Sequence, residues 1–361
     1  MLALRITVLF RQTLIRQLLI ILGILMKIRK LLIIISVWII TSQAFAGKYA
    51  AEFLRIGIGS RALGMGGAFV AVADDGTASY WNPAGLGNLP QHQIYFSHVQ
   101  MFDNLAHHNF ANFSFKVGSN IGLGISWIRL SVDNIPRYSE LKGTRYDRFL
   151  NPDLRSTGKP EGFFGDIEDA FFLSFGKGFE FDLAISGGLM PTLIPTRFSV
   201  GISDKYISQK LDTAEGKGQG VDIGIKISFI GLSSEETVQQ RNLSFGLNLQ
   251  DIAETTVIWN TSNQTQDQLP LNLLVGMYYS ERLPWLKGQI TLALGRGNSY
   301  ESSNHWGGEF IFGNVISLRA GVHDKNFTAD AGFKLYWFHV DYAFVSYDLG
   351  NSHRISGGIE F

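Results

Sequence analysis

The sequence predicts an all-β protein: a transmembrane antiparallel β-barrel of about fourteen strands with a small N-terminal hatch or plug segment. Three observations carry that expectation. An export signal opens the chain, strand-length segments alternate apolar residues with polar or tiny ones, and the composition is too poor in charge for a water-facing surface. Only 17% of the 361 residues are charged, against about 25% in soluble domains. Acidic and basic residues are equal in number, 31 each, which gives no support for nucleic acid as a partner. The absence of cysteine excludes disulfides, thiolate chemistry and most zinc designs, and no cofactor is expected.

Residues 1–46 read as a targeting segment. Lys27, Arg29 and Lys30 form a basic region, Leu31 to Ile40 a short apolar core, and Ala44-Phe45-Ala46 a cleavage pattern. A core of about ten residues is too short to span a bilayer as a helix. The second apolar patch upstream, "LLIILGIL", is most simply explained by a start at Met26, with the mature chain beginning at Gly47.

Residues 92–361 are expected to form the barrel. In "RNLSFGLNLQ", Leu243, Phe245, Leu247 and Leu249 face one way, and Asn242, Ser244, Gly246, Asn248 and Gln250 the other. "VDIGIKISF" repeats the design, as does "FHVDYAFVSY", with Phe338, Val340, Tyr342 and Phe344 on one face. A soluble barrel would turn its apolar face inward and present charge outside. Here the second face is Gly, Ser, Asn and scattered charge, which suits an inverted barrel with outer-membrane lipid around it. Closure follows, because an open edge in hydrocarbon leaves amides unpaired. The long, charged stretches from Arg129 to Asp169 and from Asp251 to Leu269 are expected as outer loops. Trp127, Tyr278, Tyr279, Trp285, Trp306, Tyr336 and Trp337 are expected in the interfacial girdles. The terminal Phe361, on an alternating strand, is the expected assembly signal for the barrel assembly machinery of the bacterial outer membrane.

Between these segments, residues 47–91 hold "GSRALGMGGAFVAVADDGTASYWNPAGLG". The spaced glycines lack the strict dinucleotide pattern and no βαβ alternation follows. Asp74 and Asp75 lack the calcium-loop spacing and read as turn acids, so no metal site is expected. Asn82 can cap a short helix opened by Pro83 and closed after Leu86 by Gly87. The segment is rich in small residues and neither strand-periodic nor hydrophilic, as a lumenal plug would be. Met65, Phe69, Trp81, Asn82, Pro83 and Ala84 are the expected hatch residues, able to line a local apolar pocket.

This stretch, from Phe53 to Gly87, resembles the N-terminal signature of the PorV/PorQ branch of the FadL-like outer-membrane proteins. "FSVGISDKYISQKL" (Phe198 to Leu211) and "YDLGNSHRISGGIEF" (Tyr347 to Phe361) are similar to two further stretches of that branch. The resemblance implies a fourteen-stranded barrel with an N-terminal hatch, whose Asn-Pro-Ala element matches Asn82, Pro83 and Ala84. It also implies a part in type IX protein secretion or surface assembly, with secreted protein cargo as partner, or passage of hydrophobic small molecules such as long-chain fatty acids. Asp204 departs from the pattern, standing where an apolar or small residue is expected, and two prolines interrupt the segment from Pro191 to Thr196.

Three functions remain: a secretion or display component, which the resemblance favours; a conduit for apolar small molecules; and a barrel enzyme. No G-x-S-x-G is present, and no catalytic residues are assigned. His107 and His108, adjacent on a strand, face opposite sides. His339 with Asp341, and Lys226 with Asp222, share faces and are expected as lumenal hydrogen-bonded and charge pairs.

Overall fold

Fourteen strands close into a ring around a folded segment from the chain's own N-terminal part. The structure is a computed structural model that describes residues 50–102, 104–155, 158–185, 192–232, 241–298, 303–347 and 350–361. The targeting segment lies outside the described residues. The strands are β1 (Gln93–Met101), β2 (Ala106–Val117), β3 (Ile121–Arg137), β4 (Gly162–Ile185), β5 (Thr192–Leu211), β6 (Ala214–Ile230), β7 (Arg241–Gln250) and β8 (Thr255–Trp259). There follow β9 (Gln266–Leu269), β10 (Asn272–Leu283), β11 (Gly288–Gly297), β12 (Ser303–Phe312), β13 (Ile316–His323), β14 (Asn326–Leu335), β15 (Phe338–Val345) and β16 (Ser352–Glu360).

Each strand pairs antiparallel with its neighbour in sequence from β1 to β7. β7 then pairs with β10, the order resumes to β16, and β16 pairs with β1. The ring so closed lies in residues 50–180 and 196–361, one of two units of the chain. The described residues of the other, Phe181–Ile185 and Thr192–Pro195, are strand ends of β4 and β5. β5 therefore runs through Pro195 without a break.

Alternation sets the two faces as the sequence predicts. Phe245 on β7, Ile223 and Ile225 on β6, and Tyr342 on β15 are exposed on the outside, whereas Ser244, Asn248, Asp222 and Asp341 are buried on the inside. Ile125, Phe171, Leu173, Leu292, Leu318 and Ile355 continue the apolar exterior. A ring without a free edge, apolar outside and polar within, is a bacterial outer-membrane barrel. Asp204 stands on the outward face of β5 between Ile202 and Tyr206 and accepts a hydrogen bond from Gln219 at 2.9 Å.

The long connections gather at one end, opposite Gln93 and Glu360. Convention places that end outside the cell. Both expected loops are shorter than the sequence suggested. β3 extends to Arg137 and β4 begins at Gly162, leaving residues 138–161, which hold a helical turn at Arg145–Leu150. The stretch from Asp251 to Leu269 contains the β8–β9 hairpin, and β8 pairs with β6 through Gly216, Lys217 and Gly218. Trp285, Tyr336 and Trp337 stand exposed in turns at the inner end, and Trp306 is exposed on β12. Tyr278 departs from the expected girdle: it lines an inner cavity, with Lys226 Nζ 5.7 Å from its ring centre.

Candidate functional site: a hatch with a cavity on each face

The hatch has little regular structure. Its helical turns cover only Glu52–Ile56, Ser60–Gly64, Ala78–Trp81 and Pro83–Asn88, so many of its backbone groups need partners from elsewhere. The polar inner wall supplies them. Ser356 accepts from Ser60 N at 3.0 Å, and Thr328 donates to Gly64 O at 3.0 Å while accepting from Gly66 N at 3.1 Å. Lys226 Nζ donates to Val72 O and Ala73 O at 3.0 and 2.9 Å. Asn248 and Gln250 donate to Trp81 O and Tyr80 O, each at 3.1 Å. Gln93 accepts from Gly76 N at 2.7 Å. The lumenal polar residues are thus the hatch's missing secondary structure.

The wall also gives way sterically. A Cβ at Gly321 would sit 2.3 Å from Gly66 N, and one at Gly224 would sit 2.1 Å from Asn82 Oδ1. Backbone meets backbone at Gly321, and at Gly224 the Asn82 amide and Ala84 N press against the wall, so glycine is needed at both. Asn82 is the pin of this contact. Its Oδ1 accepts from Ala84 N at 3.1 Å as the helix cap, and its Nδ2 donates to Val70 O within the hatch and to Ile225 O of the wall. The helix it caps runs to Asn88, past Gly87. Gly87 is needed for close approach to β4, since a Cβ would fall 2.6 Å from Gly178 N. It does not end the helix.

Charge holds the inner side. Arg61 reaches Glu309 at 2.9 Å and Asp74 at 2.6 Å, and Asp75 at 3.3 Å. Burial pushes the Asp75 carboxyl up, with the Arg61 charge opposing it. Asp75 also accepts from Thr77 N at 2.9 Å, the local turn expected of it. Arg319 binds Glu309 at 2.7 Å and Asp341 at 2.5 Å, and pairs with Asp330 as well. Two expected pairs are therefore replaced. Asp341 is bonded by Arg319, while His339 lies 3.8 Å from Glu360. Lys226 serves hatch carbonyls and Asp222 pairs with Lys205, because residues four apart on a strand stand about 13 Å apart.

A cavity opens on each face of the hatch. The outer one, about 590 Å³, is lined by Leu54, Tyr80, Trp81, Phe172 and Leu269 among others, and reaches Met101, Asn326 and Tyr347 near the outer strand ends. The inner one, about 860 Å³, is lined by Arg61, Asp74, Asp75, Glu309 and Arg319 and reaches Asn314, Tyr336 and Glu360. Of the sequence-predicted hatch residues, Trp81 lines the outer cavity and donates to Ile58 O at 3.1 Å. Met65, Phe69, Asn82, Pro83 and Ala84 are buried in the contact between hatch and wall. Phe361 is exposed, its ring tilted against His92.

Sequence reasoning missed the charged group at the outer cavity. Lys205 Nζ lies 2.8 Å from both Asp222 Oδ1 and Asp251 Oδ1. With Ile202 and Tyr206 turned outward, Lys205 must face the lumen, and that phase was readable. Its partners on other segments were not. Arg354, fully buried on β16, contacts Gly57 O and Tyr347 OH at 3.4 and 3.3 Å and has no carboxylate partner among the described residues.

No family model matches the chain, and no curated protein sequence matches it either. Solved outer-membrane proteins are similar in fold. The Pseudomonas putida toluene transporter TodX aligns over 88% of this chain and 98% of its own, at 11% identity and a TM-score of 0.43. The outer membrane protein Omp33 of Acinetobacter baumannii aligns over 75% of this chain and 98% of its own, at 7% identity and a TM-score of 0.38. OpdK of Pseudomonas aeruginosa, solved with vanillate, aligns over 75% and 97%, at 10% identity and a TM-score of 0.27. Likeness at this level concerns the barrel, not what passes through it.

Proposed function

We propose that the protein is a hatch-closed conduit, without a chemical step, that admits a small and largely apolar solute from outside the cell into the cavity above the hatch. The outer cavity carries this reading. Its volume of about 590 Å³ falls within the roughly 300–1,000 Å³ of small-molecule sites, and it sets an aromatic and aliphatic wall of Leu54, Trp81, Phe172 and Leu269 beside convergent polar and charged groups. This reverses the order of preference that the PorV/PorQ resemblance implies. The test is equilibrium binding to the purified full-length barrel of three probes with one apolar body: 3-phenylpropanol, 3-phenylpropylammonium and 3-phenylpropanoate. At least one is expected to bind saturably at one site, and Leu269→Trp, which fills the cavity, is expected to abolish it. Absence of saturable binding by all three overturns the reading.

A second reading, a PorV/PorQ-like component of secretion or surface assembly, is favoured by the β3–β4 connection. It exposes Tyr138, Leu141, Tyr146, Phe149 and Leu150 around a helical turn fixed by a Thr144–Asp147 capping box. Ordered, exposed aromatics suit a protein partner. Gentle extraction from the native membrane with mass spectrometry of what co-purifies would test it. A stoichiometric polypeptide supports this reading, and apolar small molecules alone count against it.

A further inference from the structure

The outer cavity is lined by four carboxylates, Glu52, Asp222, Asp251 and Asp324, and by two permanent cations, Arg55 and Lys205, with a third, Arg354, behind its wall at Gly57 and Tyr347. The excess is concentrated in the buried trio. Lys205 is 3% exposed at its side chain and Asp222 1%, and Lys205 is shared evenly between two aspartates. One positive charge thus faces two negative ones out of water, an arrangement that is costly unless completed by further partners.

The hydrogen bonds show which atom lacks a partner. Asp251 Oδ1 accepts from Lys205 and from Thr255 Oγ1. Asp222 Oδ1 accepts from Lys205 and from Asp251 N at 2.9 Å. Asp222 Oδ2 is buried and has no hydrogen-bond partner among the described residues, although a carboxylate oxygen in a dry site demands one. Nearby, Tyr80 and Trp81 pack edge to face with ring centres 5.0 Å apart, and Tyr80 meets Phe172 in the same manner. All three rings line the same cavity as Asp222.

We propose that the outer cavity selects organic cations: a protonated amine on an apolar body, with its ammonium hydrogen-bonded to Asp222 Oδ2 and its body against Tyr80, Trp81 and Phe172. The inference rests on the conduit reading and names its substrate class. The bound ammonium supplies the second positive charge to the Lys205, Asp222 and Asp251 group and a donor to the orphaned oxygen. The aromatic faces add attraction for a cation. A carboxylate ligand would instead bring a third negative charge to a site already in excess.

The three phenylpropyl probes separate this inference from the reading beneath it. 3-Phenylpropylammonium is expected to bind at least tenfold tighter than the alcohol, and the alcohol tighter than the carboxylate. Asp222→Asn is expected to erase the preference for the ammonium, bringing its affinity to within about twofold of the alcohol's in the same variant. Heat-shifted migration on a gel reports whether the variant barrel is folded. Where Asp222→Asn does not fold, Asp251→Asn carries the same expectation, with Asp324→Asn at the rim as a control that keeps the preference. Equal binding of all three probes, or tightest binding of the carboxylate, overturns the cation inference and leaves the conduit. A preference that survives Asp222→Asn, or Asp251→Asn in its place, overturns it as well. Failure of every probe overturns both.

Discussion

The two cavities differ less in size than in charge balance. The inner one is lined by five acids, Asp74, Asp75, Glu309, Asp341 and Glu360, and by five bases, Arg61, Arg197, Lys226, Arg319 and Lys334. The outer one has four acids to two bases in its lining, a carboxylate oxygen unpartnered among the described residues and a larger share of aromatic wall. The inner charge is spent on structure: Arg61 and Lys226 fasten hatch to barrel, and Arg319 braces the wall. Charge left over above the hatch is available to something that arrives.

The comparison breaks most completely if the hatch is expelled and the two spaces merge. Gly321→Val places side-chain atoms where Gly66 N and Met65 lie. The barrel should still form, since Val suits a strand, and conductance in planar bilayers should rise from near closed to a steady open level, tenfold or more. Next in size is the inner fastening. Arg61→Met parts the hatch from buried Glu309 and leaves Asp74 without that cation and should lower hatch stability by about 3 kcal/mol, read as faster hydrogen exchange in residues 60–88. On the outer side, Trp81→Ala should cost about 3 kcal/mol and enlarge the outer cavity, so that apolar probes bind more weakly while inner-side exchange stays slow.

Asn82→Ala sharpens the contrast, because the pin joins hatch to wall between the two spaces. Losing its three hydrogen bonds should cost about 2 kcal/mol, with brief openings in single-channel records; an unchanged record would remove Asn82 from the seal. The smallest effect lies outside both cavities. Asp147 accepts from the Thr144 hydroxyl and N–H at 2.7 and 2.8 Å, which holds its carboxyl below the usual range. Its support of the Arg145–Leu150 turn is complete above the ordinary carboxylate pKa and is lost as pH falls through the lowered one. Asp147→Ala should mimic the acid state by increasing protease nicking of this connection, with conductance and probe binding unchanged.

Sequence carried the barrel because each strand reports its own two faces. Leu243, Phe245, Leu247 and Leu249 need no partner to show which side meets lipid. The same holds for Asn82 and Pro83, whose capping chemistry is local. What was not legible depends on contacts across the lumen. Lys226 and Asp222 share a face, yet their partners are set by barrel register and by the path of the hatch, which no single strand encodes. Tyr278 reads as a girdle residue until its phase on β10 turns it inward beside Lys226. The β8–β9 hairpin was hidden in a polar stretch because its support comes from the end of β6.

The seam of the ring is β1 against β16, the first strand of the barrel and the last. The hatch precedes both in the chain and contacts strands from β1 to β16 all the way round, including Ser356 on the final strand. Its backbone is keyed into wall glycines that allow no sliding passage. The hatch thus bridges the seam from within, held by Gln93 on the first barrel strand and by Ser356 on the last: it is a clasp across the join as well as a plug in the bore.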